Sequence, residues 1–158
     1  MSNGFKALRH VGGGVQRYSE VGIAQAYTTA IFNGDMVKMN GGNAELAATN
    51  ETMVGTFVGV MYVSNTGEQV FSPYWPGAAA APGSTEIKAI VSDDTKITYK
   101  VKDSTGSLVA GDLCDLDYTA GTAKLGQSAA EVGASTNGDF RVRSVLNDGL
   151  DSVEIDIV

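Results

Sequence analysis

The sequence predicts an all-β fold, a small barrel or sandwich of short antiparallel strands with little or no helix, and three observations carry that reading. Apolar and polar residues alternate over short runs, as in "DFRVRSVL" (139–146), the period-two pattern of a half-buried strand. Turn clusters such as "NGGN" (40–43) and "NDG" (147–149) separate those runs. No stretch shows the i, i+3, i+4 apolar spacing of an amphipathic helix.

Taken in order, residues 1–20 read as an extended, basic, Gly-rich arm, because Gly12, Gly13 and Gly14 are costly in a helix. Residues 21–158 read as one β-rich domain. Its first strand candidate, "IAQAYTTAIF" (23–32), ends at the Asn33-Gly34 turn. "DMVKM" (35–39) alternates before "NGGN". "MVGTFVGVMYV" (53–63) is rich in β-branched and aromatic residues and stops at "SNTGE". "QVFS" leads to the proline-bounded "SPYWP", then "IKAIVS" (87–92) and "KITYKVK" (96–102) flank Asp93-Asp94. "SLVAGDLCDLDY" (107–118) reads as a strand or strand pair, and "SAAEVGAS" (128–135) as at most one helical turn. "DFRVRSVL" and "SVEIDIV" (152–158) close the chain.

A faint internal repeat suggests two related hairpin units. Gly34-Asp35 pairs with Gly111-Asp112, Ala44-Glu45-Leu46 with Ala123-Lys124-Leu125, and Gly55-Thr56-Phe57 with Gly138-Asp139-Phe140.

Composition narrows the function classes. A chain of 158 residues suits one domain with a substantial core. No apolar run reaches the roughly 18 residues of a membrane helix, and the N-terminus lacks the apolar region of a signal peptide. Cys114 is the single cysteine, so no internal disulfide forms, which fits synthesis in a reducing cytoplasm. The net charge is −7 and unevenly spread: Lys6, Arg9 and Arg17 fall in the first 19 residues, where there is no acid. The acidic remainder argues against a nucleic-acid surface, which needs clustered Lys and Arg. The basic arm suits an acidic groove on a protein partner.

Catalytic constellations are missing from the pattern. The one histidine, His10, lies in the arm, so the body holds no His base for Ser or Cys. With one His and one Cys, a zinc site lacks ligands. Asp93-Asp94 reads as a turn between strands, in which Asp side chains bond nearby backbone N–H groups. Asp112, Asp115 and Asp117 could attract calcium, but their spacing is not that of an EF-hand, and a strand puts Asp115 and Asp117 on one wet face. Cys114 reads as a small packed side chain. The expectation is therefore a non-enzyme with no cofactor and no metal.

The stiff "FSPYWPG" (71–77) concentrates bulk in a small-residue chain. Pro73 and Pro76 lack N–H donors, which excludes a central strand. Tyr74 and Trp75 suit either a protein interface or a plug for the end of their own barrel. The candidate partner-binding residues are Phe5, Lys6, Leu8, Arg9, His10, Arg17, Tyr18, Tyr74 and Trp75.

Residues 30–105 resemble head decoration (cement) proteins of tailed bacteriophages. The marks are Gly59-Val60, Tyr62, the turn at Gly67, Phe71-Ser72, Tyr74-Trp75-Pro76 and Val91-x-Asp93-Asp94, with "NGDMV" (33–37) upstream. Thr95 stands where many such sequences have proline after the double Asp. The resemblance implies a virion protein, made in the host cytoplasm, on the outer capsid surface. It would bridge major capsid protein subunits and self-associate, with a trimer favoured over a dimer, without binding nucleic acid or membrane. Two alternatives stay open: a tail or neck component, and a non-viral carbohydrate-binding or adhesin sandwich.

Overall fold

The computed structural model describes residues 4–123 and 125–158. Fourteen strands form, and no helix forms among the described residues: β1 (Lys6–His10), β2 (Ser19–Gly22), β3 (Ile31–Phe32), β4 (Met36–Asn40), β5 (Asn43–Leu46), β6 (Gly55–Val63), β7 (Gln69–Ser72), β8 (Tyr74–Trp75), β9 (Thr85–Ser92), β10 (Ile97–Lys102), β11 (Leu113–Asp117), β12 (Glu131–Ala134), β13 (Phe140–Leu146) and β14 (Ser152–Ile157). The fold class is all-β, as the alternation predicts.

The first half closes a five-stranded barrel in the order β4-β5-β2-β9-β6, with β6 returning to β4 and β7 added outside β6. The second sheet, β1-β10-β14-β13-β11-β12, curls until Asp103 after β10 meets Val132 of β12 in a parallel bridge. A closed barrel and a second, curled sheet therefore share the chain. Both use the same path: an opening strand, a hairpin, a long strand, and a last strand that pairs back onto the opening one.

The correspondence holds bond by bond. Gly34 N–H donates to the Phe57 carbonyl and Phe57 N–H to that of Asp35; Gly111 does the same with Val142, and Val142 with Asp112. Both long strands bulge at the next residue against their last strands, between Phe57 and Gly59 and between Val142 and Ser144. A bulge bends a strand and increases its twist, which short barrels need in order to close. The Gly-Asp pairing of the repeat is thus structural, but its other two pairings are out of register. Phe57 corresponds to Val142, so Phe140 corresponds to Gly55. Leu46 faces Val37 as Ala134 faces Cys114, so Ala123 and Leu125 belong to the long β11–β12 connection, and Lys124 lies outside the described residues.

Two further expectations are corrected. "IAQAYTTAIF" is not one strand: β2 starts earlier, at Ser19, and a turn closed by Tyr27 N–H on the Ala24 carbonyl separates it from β3. "SAAEVGAS" forms β12, because Val132 is needed inside the second core. By contrast, Gly41 and Gly42 adopt the positive φ values (56° and 85°) of a two-residue hairpin turn, as "NGGN" predicts.

Each unit has its own core. The first packs Ile31, Val37, Phe57, Val60, Trp75, Ala89 and Val91; the second packs Tyr99, Val101, Cys114, Val132, Phe140, Val142 and Ile155. The two meet at β4, where Val37 points into the first core and its neighbour Met36 into the second, joined by Met53 and Ala47. Cys114 is fully buried and its thiol is pushed up to about 12, first by burial, so it packs as a small apolar group.

Trp75 is 0% exposed, edge-on to Tyr62 at 5.4 Å, with its indole N–H donating to the Tyr27 carbonyl. Trp75→Ala should cost about 3–5 kcal/mol of stability, read as a lowered thermal midpoint, with Trp75→Phe intermediate. Equal midpoints for Trp75→Ala and the parent would remove Trp75 from the core account.

Asp35, 0% exposed, accepts the Phe32 N–H at 2.8 Å. Burial pushes its carboxyl up to about 6, opposed by hydrogen bonds from Ser128 and Phe32. A raised folded-state pKa means tighter proton binding in the folded chain. The stabilisation is full below the ordinary carboxylate pKa of about 4 and is lost as pH rises through about 6. The stability of Asp35→Asn relative to the parent should therefore rise between pH 4 and pH 7 in urea titrations. A pH-independent difference would contradict this account.

Candidate functional site: an arm laid across the seam

The basic arm is held by its own chain. Gly4 N–H donates to the Ala130 carbonyl and Phe5 N–H to that of Gly34. Phe5 is 2% exposed and packs on Phe140 with ring centroids 5.2 Å apart. β1 then adds antiparallel to β10, with a bulge at Leu8. The chain reverses through Gly12–Gly14, where Gly12 and Gly13 adopt φ of 127° and 74° and no atom lies close enough to meet an added Cβ. The return leg crosses the link between the barrels: Gln16 donates to the Ser92 hydroxyl at 2.7 Å, and the Ser19 hydroxyl donates to Asp93 at 2.8 Å. Residues 5–19 thus form a strap over the seam.

The strap leaves one long edge of β1 unpaired by the described residues. Leu8, Val11 and Tyr18 are substantially exposed, and Val15 is 91% exposed. Interspersed are Lys6, Arg9 and Arg17. Arg17 lies 4.0 Å from Asp93, and His10 lies 3.5 Å from Asp94 while accepting the Gly14 N–H on Nδ1. Exposed apolar side chains interspersed with cations, beside an open strand edge, have the composition of protein contact surfaces.

Arg9 also reaches over the sheet and donates from Nε to Glu154 at 2.6 Å. Glu154 is nearly buried and accepts the Ser144 hydroxyl at 3.0 Å. Burial raises its pKa, but hydrogen bonds from Arg9, Thr98 and Ser144 outweigh that, so it stays below the usual Glu range. Beside it, Arg143 donates to Asp156 at 2.8 Å.

Of the nine residues the sequence nominates, Lys6, Leu8, Arg9, Arg17 and Tyr18 are on this surface, with His10 half-covered beneath it. Phe5 and Trp75 lie in the cores instead, and of the two readings of Trp75 the structure has it as the plug of its own barrel. Two prolines stiffen the segment that carries Trp75 inward, to pair with Ile31 in the β3–β8 ribbon. Tyr74, half-buried, stacks on Phe32 with ring centroids 5.4 Å apart. Val11, Val15, Arg141 and Arg143 escaped nomination. For the last two the signal was present, because the alternation of "DFRVRSVL" already puts them on the outer face. The aspartates weighed for calcium serve loop geometry: Asp112 accepts the Val109 N–H and Asp115 the Asp139 N–H.

The fold is all-β, a closed five-stranded barrel beside a second curled antiparallel sheet, with the arm strapped across the seam between them. No family model, curated protein or solved structure matches the chain.

Arg9→Leu should lower the thermal midpoint at pH 7 by stranding the Glu154 carboxylate. Glu154 has a depressed folded-state pKa, so the stability it contributes is present at neutral pH and lost as pH falls below the usual Glu range. The deficit of Arg9→Leu should shrink at pH 3.5; an undiminished deficit would mean the pair is not what the variant removes.

Proposed function

We infer that the chain is a virion structural protein that decorates an icosahedral phage capsid from outside, bridging adjacent major capsid protein subunits. The observation that carries this reading is the strap, an exposed apolar and basic strand edge anchored at both ends in a rigid body. The likeness of residues 30–105 to decoration proteins supports it. Anchoring matters physically, because a docking strand that is already ordered does not lose conformational freedom on binding. Many copies on a closed shell, each clamping subunits that are already adjacent, sum modest affinities into a large stabilisation. Self-association into a small oligomer, a trimer by analogy, belongs to the same reading.

Co-sedimentation of the chain with heads that lack it, compact against expanded, tests the proposal. Saturable binding to expanded heads at a fixed ratio to capsid subunits is expected. Binding to neither form would sink it. Within that assay, Val15→Asp combined with Tyr18→Ala should weaken binding at least about 10-fold, or about 1.4 kcal/mol, without moving the thermal midpoint. Unchanged affinity would remove the strap from the contact.

A further inference from the structure

Three of the chain's four arginines line one groove on the outer face of the second barrel. Arg9 from β1 and Arg141 and Arg143 from β13 surround a space of about 380 Å³ floored by Val142, Ser144, Glu154 and Asp156. We propose that this groove binds an extended peptide segment carrying an Asp or Glu side chain, contributed by the protein partner. This deepens the docking reading by naming the chemistry on the partner's side.

The groove is not required by the fold. By backbone register, the first barrel has Thr56, Val58, Ile90 and Ser92 where the second has Arg141, Arg143, Glu154 and Asp156. The same bulged strand pair therefore closes a barrel without any of these charges. Only the second barrel carries them, and only there does the arm supply a third arginine.

Charge selects the ligand. Glu154 and Asp156 offset two of the three guanidinium groups, which leaves one positive charge. That matches a monoanionic carboxylate better than a phosphate dianion, which the two carboxylates would repel. Arg9 and Arg143 are oriented by those carboxylates, whereas Arg141 has no ion pair among the described residues. Its planar fork suits a bidentate carboxylate. The unpaired Arg141 guanidinium and the single net positive charge fit the carboxylate of an Asp or Glu side chain on the partner. No aromatic ring lines the groove, so it lacks the stacking platform on which sugars and bases usually rest.

The test is an NMR titration of the full chain, following arginine Nε–H resonances. The probes are acetyl-Val-Glu-Val-amide, its glutamine analogue, and inorganic phosphate. The glutamate peptide should shift Arg141 and Arg143 resonances saturably, at least 10-fold more tightly than either other probe, and Arg141→Gln should abolish the response. Equal response to the glutamine peptide, tighter binding of phosphate, or shifts confined to other residues would each overturn the proposal. Arg141 makes no ion pair to lose, so Arg141→Gln should leave the thermal midpoint in place, and a folded variant that still responds also overturns it. Head co-sedimentation separates the two readings. Heads bound equally by the parent and Arg141→Gln, with no peptide response, defeat the groove alone. A peptide response without head binding defeats the decoration reading alone.

Discussion

The structure depends on a main-chain junction at Asn33–Asp35, where three parts of the molecule meet. The Gly34 N–H donates to Phe57 in the first barrel, and the Gly34 carbonyl accepts the Phe5 N–H of the arm. Asn33 donates its N–H to Gly126 and accepts that of Ser128, both in the β11–β12 connection of the second unit. A buried backbone group without a partner costs about as much as a lost hydrogen bond, so each strand here holds the others in place. Gly34 has φ of 94°, and an added Cβ would lie 3.2 Å from the Phe5 carbonyl. Glycine is needed at Gly34 for conformation and for space at once. Asp35 completes the junction by accepting the Phe32 N–H, while its other carboxyl oxygen is buried without a hydrogen bond and burial raises its pKa.

From that junction the division of labour follows. β4 leaves it with alternate residues facing two cores, so the barrels share a wall and cannot separate without exposing Met36, Met53 and Phe5. The strap then crosses the same seam on the outside. A segment tied to Phe140 at one end and to Ser92 and Asp93 at the other has its shape set before any partner arrives. That accounts for apolar side chains on an edge that an isolated domain would normally blunt with charge.

The fold class was legible because strand alternation and turn chemistry are local, and "NGGN", "DFRVRSVL" and "SVEIDIV" show both. The repeat was legible only where backbone bonding constrains sequence, at Gly34-Asp35 and Gly111-Asp112. Away from those pairs the register is set by bulges, which leave no fixed residue signature, so Phe57 and Phe140 looked equivalent when they stand two positions apart. Whether Phe5 and Trp75 face inward or outward is not legible locally, because a large aromatic next to Gly or Pro looks the same in sequence either way. Its direction depends on pairing partners far along the chain, Ile31 for Trp75 and the β13 side of the second core for Phe5. The arginine groove was half legible, since alternation exposes Arg141 and Arg143 but nothing local brings Arg9 to them.

Charge completes the comparison between the units. Two barrels with one strand path and one bulge have the same structural requirements, so a feature present in only one is not there to close a barrel. In the first unit, Ile90 and Val58 cover the bulged pair with apolar side chains. In the second, Glu154 and Asp156 are held where they lie by Arg9, Ser144 and Arg143. Apolar side chains cover the equivalent place without the desolvation that a nearly buried carboxylate such as Glu154 suffers. Keeping charge there disfavours folding relative to the simpler solution next door, and oriented arginine donors are what that arrangement supplies. The strap reaches this face through β1, which carries both the exposed Leu8 and Arg9. Pairing of β1 with β10 is therefore what brings Arg9 to Glu154 and completes the charged groove beside β13.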